Sequence, residues 1–328
     1  MNMSAQSETE SLLTYPYPWH QAVWQKLEKS MASDKLVHAI LVAGPAGIGK
    51  QALVTALAHR LLCTNSENGS VCGVCKGCQL NAAQTHPDLK FVMPEEKGKA
   101  IKIEQVRELN EFFSKTAQQL GKKIAILGPV ENLNLNSANA LLKTLEEPTS
   151  NSHLLLFSHQ LSGVLATIRS RTQLLSMPMP TEQESVGWLE TMTDLNALEL
   201  LEFSGGAPLR ALEYCDVTIL DEHKKMVSLV SQVYDGAISP LLAAAQLQKQ
   251  DLQSVLTCLL NNLDSKVRSV FLGGNEVDPR LTWSLQKMYG LRDIVIGLSH
   301  QITNGANPNK QLALEEIFYS YAQCGVNR

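Results

Sequence analysis

The stretch Ala39-Ile40-Leu41-Val42-Ala43-Gly44-Pro45-Ala46-Gly47-Ile48-Gly49-Lys50-Gln51 decides the fold. Ala39 to Ala43 reads as a buried strand, Gly44 to Gly49 as a glycine-rich turn, and Lys50 opens a helix that runs toward Cys63. The turn fits the phosphate-loop pattern G-x-x-x-x-G-K-[ST] at every fixed position except the last, where Gln51 stands. In such a loop, backbone N–H groups and the helix N-terminus cradle phosphates and the lysine reaches the outer ones. Gly44, Gly47, Gly49 and Lys50 are therefore the candidate nucleotide contacts. The hydroxyl that normally holds Mg²⁺ is missing. A Gln amide is a neutral, bulkier ligand, ill suited to the tight octahedral shell of Mg²⁺.

A second part of the hydrolytic machinery is missing further on. Lys122 and Lys123 lead into a buried strand, Ile124 to Leu127. In phosphate-loop ATPases, this strand ends in an Asp-Glu pair that holds Mg²⁺ and polarises water. Here Gly128-Pro129 follows, with no carboxylate, and Glu131 lies two residues too late. The two losses are independent, so no ATPase activity is expected from this chain alone.

Between these stretches lies Cys63-x8-Cys72-x2-Cys75-x2-Cys78. Thiolates at this spacing can converge tetrahedrally on one Zn²⁺. Cys63, Cys72, Cys75 and Cys78 are the candidate ligands of a closed structural site. The bland alternative makes Cys63 a buried core thiol and leaves the other three idle. His86 could replace Cys63. A redox role for the C-x-x-C is weaker, because the motif sits in a Gly-rich insertion (Gly69, Gly73, Gly77) rather than at the start of a βαβ helix.

At 328 residues the chain calls for two or three domains. Its 44% hydrophobic and 18% charged residues are those of a soluble globular protein, and its net charge of −4 offers no global attraction for nucleic acid. The polar, acidic start, Met1 to Thr14, reads as a disordered tail with no apolar signal core. No run of residues has the length and apolarity of a membrane span, and seven cysteines without a disulfide framework fit a reducing compartment. A cytoplasmic location is expected.

The remaining pattern supplies the frame. Tyr15 to Trp19 reads as an extended lead-in, and a helix from about His20 carries Val23, Trp24, Leu27 and Met31. Phe91 to Met93 and His153 to Phe157 read as strands. Ile103 to Leu120 reads as an amphipathic helix, and Asn139 to Pro148 as a helix closed by proline. Lys97 to Lys102 is a basic run that reads as a solvated loop. Ile168-Arg169-Ser170-Arg171-Thr172 places two arginines on a short turn. Met177 to Thr181 is a Pro-punctuated linker, with Thr181 and Glu184 spaced as a helix start. A small helical unit follows to about Tyr214, its last helix starting at Gly205 to Arg210. From about Asp221 the pattern is helical, with segments near 222–235, 239–249, 251–272, 280–304 and 309–323.

Several of these residues carry a resemblance: His38-Ala39 before the loop, the four-Cys insertion after its helix, Thr85-His86-Pro87-Asp88, the Asn139 to Pro148 run, and Ser170-Arg171. With them the chain resembles the clamp-loader branch of the AAA+ proteins, and within it the non-hydrolysing subunits of the bacterial DNA polymerase III loader. Thr172 departs from that pattern, standing where a Cys usually follows Ser-Arg. The resemblance covers the whole chain in order, with its motifs in the first 180 residues.

The resemblance implies an α/β plus all-α architecture. Residues 1–179 would form an AAA+ phosphate-loop domain with a zinc module at about 63–78. Residues 180–220 would form a small helical lid, and residues 221–328 a helical collar that seats the chain in a five-subunit ring. It implies a monomer in isolation, which pairs with the ATPase subunits of the loader and stands opposite the clamp-opening delta subunit. The sliding clamp and primer–template DNA would be met through the complex, as part of the DNA polymerase III holoenzyme, a nucleotidyltransferase as an assembly. ATP would be used only at a neighbour's site, with Arg171 as an arginine finger acting in trans. Two other readings compete: an autonomous phosphate-loop ATPase with atypical Mg²⁺ ligands, and a zinc-dependent nucleic-acid-binding module. The paired losses oppose the first. The acidic balance and the lack of interleaved basic and aromatic residues oppose the second.

Overall fold

A computed structural model describes residues 17–65, 70–96, 98–119, 121–271, 285–303 and 306–325. The tail expected over Met1 to Thr14, Lys97 of the basic run and Gly69 of the insertion lie outside the described residues. So do residues 280–284 and 304 of the fourth collar segment. The chain forms two compact units, Met1–Glu184 and Ser185–Arg328.

In the first unit a 3₁₀ turn, Pro18–His20, is followed by α1 (Gln21–Ala32), β1 (Ala39–Ala43), α2 (Lys50–Leu61), α3 (Lys76–Ala82), β2 (Leu89–Val92) and α4 (Ile103–Ser114). Then come β3 (Lys123–Leu127), α5 (Leu135–Glu146), β4 (Ser152–Ser158), α6 (Ala166–Arg169), β5 (Gln173–Ser176) and α7 (Glu182–Leu189), in which the unit ends. The five strands are parallel, in the order β2-β3-β4-β1-β5. The alternation of strand side chains divides the core in two. Ile40, Val42, Ile124, Ile126, Leu155 and Phe157 face α1 and α2. Ala39, Leu41, Ala125, Leu127, Leu154 and Leu156 face α4 and α5. A sheet buried on both faces has continuously apolar strands, and that is how β1, β3 and β4 read.

Three local differences from the sequence reading have physical causes. The lead-in is not extended at Pro18–His20: His20 N–H bonds the Tyr17 carbonyl at 2.8 Å and closes a turn. Helix α4 stops at Ser114, six residues before Leu120. Just beyond it, the Gln118 and Gln119 N–H groups each bond a carboxylate oxygen of fully buried Asp88 at 2.8 Å. Strand β5 carried no signal, since Gln173, Leu174 and Ser176 are exposed on a sheet edge.

The start of α7 is capped as its spacing predicts. The Thr181 hydroxyl and N–H bond Glu184 Oε2 at 2.6 and 2.9 Å, and Glu184 N–H returns to the Thr181 hydroxyl at 3.2 Å. The second unit is helical: α8 (Ala197–Phe203), α9 (Pro208–Ala211), α10 (Val217–Tyr234), α11 (Pro240–Gln246), α12 (Leu252–Phe271), α13 (Leu285–Thr303) and α14 (Lys310–Gly325). It holds two apolar clusters. One gathers Leu189, Leu200, Leu201 and Ala211. The larger gathers Val230, Leu259, Leu263, Val295, Ile317 and Phe318 from α10, α12, α13 and α14. His223 links them, lying 4.5 Å from the Phe203 ring and 3.2 Å by Nδ1 from the Cys258 sulfur.

Candidate functional site

The phosphate loop leaves β1, which lies between β4 and the edge strand β5, where the connections from β1 and β4 run in opposite directions along the sheet. That is where α/β sheets bind ligands. Gly47 and Gly49 adopt positive φ, 77° and 82°, and Gly49 caps α2. The loop is bonded to and flanked by the protein's own groups. Lys50 is 2% exposed, and its ammonium donates to the Pro45 carbonyl within the loop. The Ile48 carbonyl accepts from Trp19 Nε1 at 2.9 Å and from His20 Nε2 at 2.7 Å. Burial, aided by the nearby Lys50 cation, pulls His20 down to about 4 against that carbonyl's opposing effect, so the ring is neutral. The Tyr17 ring lies over Gly49, where a Cβ would meet it at 2.6 Å, and stacks on Trp19 with centroids 5.0 Å apart. Sequence reasoning did not find Tyr17, Trp19 and His20. The run of three rings just before α1 was the available signal, but nothing in it specified the loop as partner.

The end of β3 explains the missing carboxylate sterically. At Gly128, a Cβ would lie 2.7 Å from both the Phe157 ring and the Phe157 carbonyl oxygen. Side chains of any size are excluded unless the end of β4 moves. Glu131 has another duty: its Oε1 accepts the His159 N–H at 2.8 Å and ties the turn after β3 to the end of β4.

The four cysteines converge. The Sγ atoms of Cys63, Cys72, Cys75 and Cys78 lie within 4.8 Å of one another, with Cys63–Cys75 at 3.9 Å and Cys72–Cys78 at 4.0 Å. A tetrahedral zinc with four bonds near 2.3 Å needs sulfurs about 3.8 Å apart. The cluster therefore fits the ion. Three N–H groups point at the sulfurs: Cys72 N–H at Cys63, Cys75 N–H at Cys72 and Cys78 N–H at Cys75, at 3.3–3.4 Å. The last of these caps α3, so the C-x-x-C spacing is also a helix start. Burial pushes the Cys75 thiol up, but bonds from Thr64 and from the Cys78 N–H outweigh it and bring it to about 5. Burial raises Cys63 and Cys78. The module is seated on α2 by close backbone packing, since a Cβ on Gly77 would fall 2.2 Å from the Leu62 carbonyl oxygen. His86 is not part of the cluster; its Nδ1 accepts the Asp88 N–H at 3.1 Å.

Arg171 follows α6 and is exposed. Its Nε and Nη2 lie 2.8 and 2.7 Å from Glu146 Oε1, and its Nη1 donates to the Thr167 carbonyl and the Ser170 hydroxyl at 3.2 and 3.1 Å. Arg169 is exposed on the same turn.

The sheet order, the altered phosphate loop on β1 and the four-Cys module on α2 define a protein of the AAA+ clamp-loader class. Residues 19–181 match the family model described as "DNA polymerase III, delta subunit". The DNA polymerase III subunit delta' of Pseudomonas aeruginosa is 44% identical over 231 residues, 69% of this chain and 70% of that protein. The Haemophilus influenzae subunit is 34% identical over 66% of each chain, and the Escherichia coli subunit 37% identical over 60% of each. The chain belongs to the DNA polymerase III subunit delta' family. Among solved structures it is similar to a DNA polymerase III gamma subunit-related protein of Thermotoga maritima (14% identity, 93% and 99% coverage, TM-score 0.46). It is also similar to the DNA clamp loader delta protein of Bacillus subtilis (12% identity, 92% and 99% coverage, TM-score 0.36). Among the described residues, no helix is long and apolar enough to cross a membrane.

Proposed function

We propose that this chain is the non-hydrolysing delta' subunit of a cytoplasmic clamp loader. In that role it binds no catalytic Mg²⁺·ATP of its own. It lends Arg171 to the ATP of a neighbouring ATPase subunit while the sliding clamp is loaded on primer–template DNA. The observation that carries the reading is the closed end of β3: Gly128 stands against Phe157, with no room for a metal-binding carboxylate. The buried Lys50 and the Gln51 side chain add to it. An arginine suits action in trans because its guanidinium is always charged and offers planar paired donors to phosphate oxygens. The cysteine cluster holds one structural Zn²⁺, closed to water and without catalytic duty. Residues 180–220 act as a lid and 221–328 as the collar that takes a heterologous seat beside the ATPase and delta subunits, the free chain being a monomer.

The intrachain pair between Arg171 and Glu146 favours a second reading, in which Arg171 only braces the turn after α6. One experiment separates them. Arg171→Ala and Arg171→Lys chains are assembled into the complete loader, and ATP turnover and clamp loading are measured. A finger contributes about 10³–10⁵ in rate at its own site. The whole complex, with several sites, should fall by less, and Lys should rescue poorly because it lacks the fork. Loading at the unmodified rate by both variants would remove the finger from this account.

A further inference from the structure

Arg171 has two kinds of partner. The Thr167 carbonyl and Ser170 hydroxyl that hold Nη1 belong to its own turn and are neutral. Glu146 arrives from the last turn of α5, 25 residues away in sequence, and takes the Nε and Nη2 edge on a single oxygen. That edge is one of the paired-donor faces of a guanidinium, the geometry that also takes two phosphate oxygens. A phosphate approaching it must displace Glu146. Both side chains of the pair are partly in solvent, at 37% and 50% exposure, so the exchange needs no unfolding. One end of the cation is fixed by local neutral acceptors, and the other is covered by a removable anion.

We infer that Glu146 is a resident counter-anion that holds Arg171 in reserve and sets the threshold at which the guanidinium passes to a neighbour's triphosphate. The inference rests on the reading of Arg171 as acting in trans. Glu146 is then a positioning residue: it touches no substrate and acts only through Arg171. An exposed ion pair of this kind has a modest hold. Its release is worth up to about fivefold, or about 1 kcal/mol at 1.4 kcal/mol per tenfold change.

The test uses full-length Glu146→Ala and Glu146→Gln chains assembled into the complete loader, with ATP hydrolysis measured in the absence of clamp and DNA. Glu146→Ala should raise this basal rate by up to about fivefold. Glu146→Gln, which keeps an oxygen acceptor but not the charge, should raise it less. The rise must vanish in the Glu146→Ala/Arg171→Ala double variant, a coupling that a bracing role would not produce. If Arg171→Ala lowers hydrolysis but neither Glu146 variant raises it, the reserve role is overturned and the finger stands. A rise that persists in the double variant also overturns it. If Arg171→Ala changes nothing, the finger reading falls and this inference with it.

Discussion

Replacing Gly128 with Asp supplies the carboxylate that phosphate-loop ATPases carry at the end of this strand, and it should not bring hydrolysis with it. A Cβ there lies 2.7 Å from the Phe157 carbonyl oxygen and ring, about 0.7 Å inside ordinary van der Waals contact near 3.4 Å. The carbonyl is backbone, and Phe157 is 2% exposed in the core beneath α1 and α2, so neither can swing aside. Overpacking of this kind costs about 1–3 kcal/mol. A carboxylate forced into the same space without a partner adds roughly another 1–3 kcal/mol. For a unit of this size each kcal/mol moves the melting temperature about 2–4 °C, so Gly128→Asp should lower it by roughly 5–20 °C. The assay pairs thermal unfolding of the full chain with ATP turnover, for Gly128→Asp alone and for Gly128→Asp/Pro129→Glu/Gln51→Thr. Both should unfold earlier and neither should turn over ATP. A triple variant with unchanged melting and Lys50-dependent hydrolysis would refute the steric argument, and with it the observation on which the proposed function leans.

Two further outcomes follow from the same geometry. Freshly purified, reduced protein should hold about one zinc per chain. Cys75→Ser/Cys78→Ser should lose it and become sensitive to protease within 63–78 while the sheet survives; zinc retained by that variant, or absent from the unmodified chain, would overturn the site. Asp88→Ala should destabilise the first unit by about 3–6 kcal/mol, because two N–H bonds to a buried carboxylate are each worth about 1.5–3 kcal/mol. Asp88→Asn, which keeps one acceptor oxygen, should cost less; a urea midpoint shift equivalent to under about 1 kcal/mol for Asp88→Ala would count against the loop being held this way.

What could be read from the sequence was local or repetitive. Ala39 to Ala43 matches β1 residue for residue, because a strand buried on both faces must be apolar throughout. The C-x-x-C spacing pointed to convergence because it is the spacing of metal-ligating thiolates, and from Cys75 to Cys78 it is also that of a helix cap. The contacts that escaped reading join distant residues. Asp88 reaches 30 and 31 residues forward to stop the chain beyond α4. His20 reaches 28 residues forward to the Ile48 carbonyl. Neither has a period, and each uses a residue type that is as often a solvated surface group.

Arg171 shows the limit most plainly. Its candidacy follows from a two-residue motif, whereas its intrachain partner, Glu146, comes from the structure. Whether that pair is an end in itself or a resting position depends on an anion from another chain. On the proposed reading of Arg171 as acting in trans, a single sequence encodes only one side of that competition. The physical content it does encode is the asymmetry of the arginine's own partners. Local neutral acceptors fix one end of the guanidinium whatever the neighbour does. The charged partner sits at a helix end, and on the proposed reading an exposed pair worth about 1 kcal/mol or less is strong enough to place the cation and weak enough to release it.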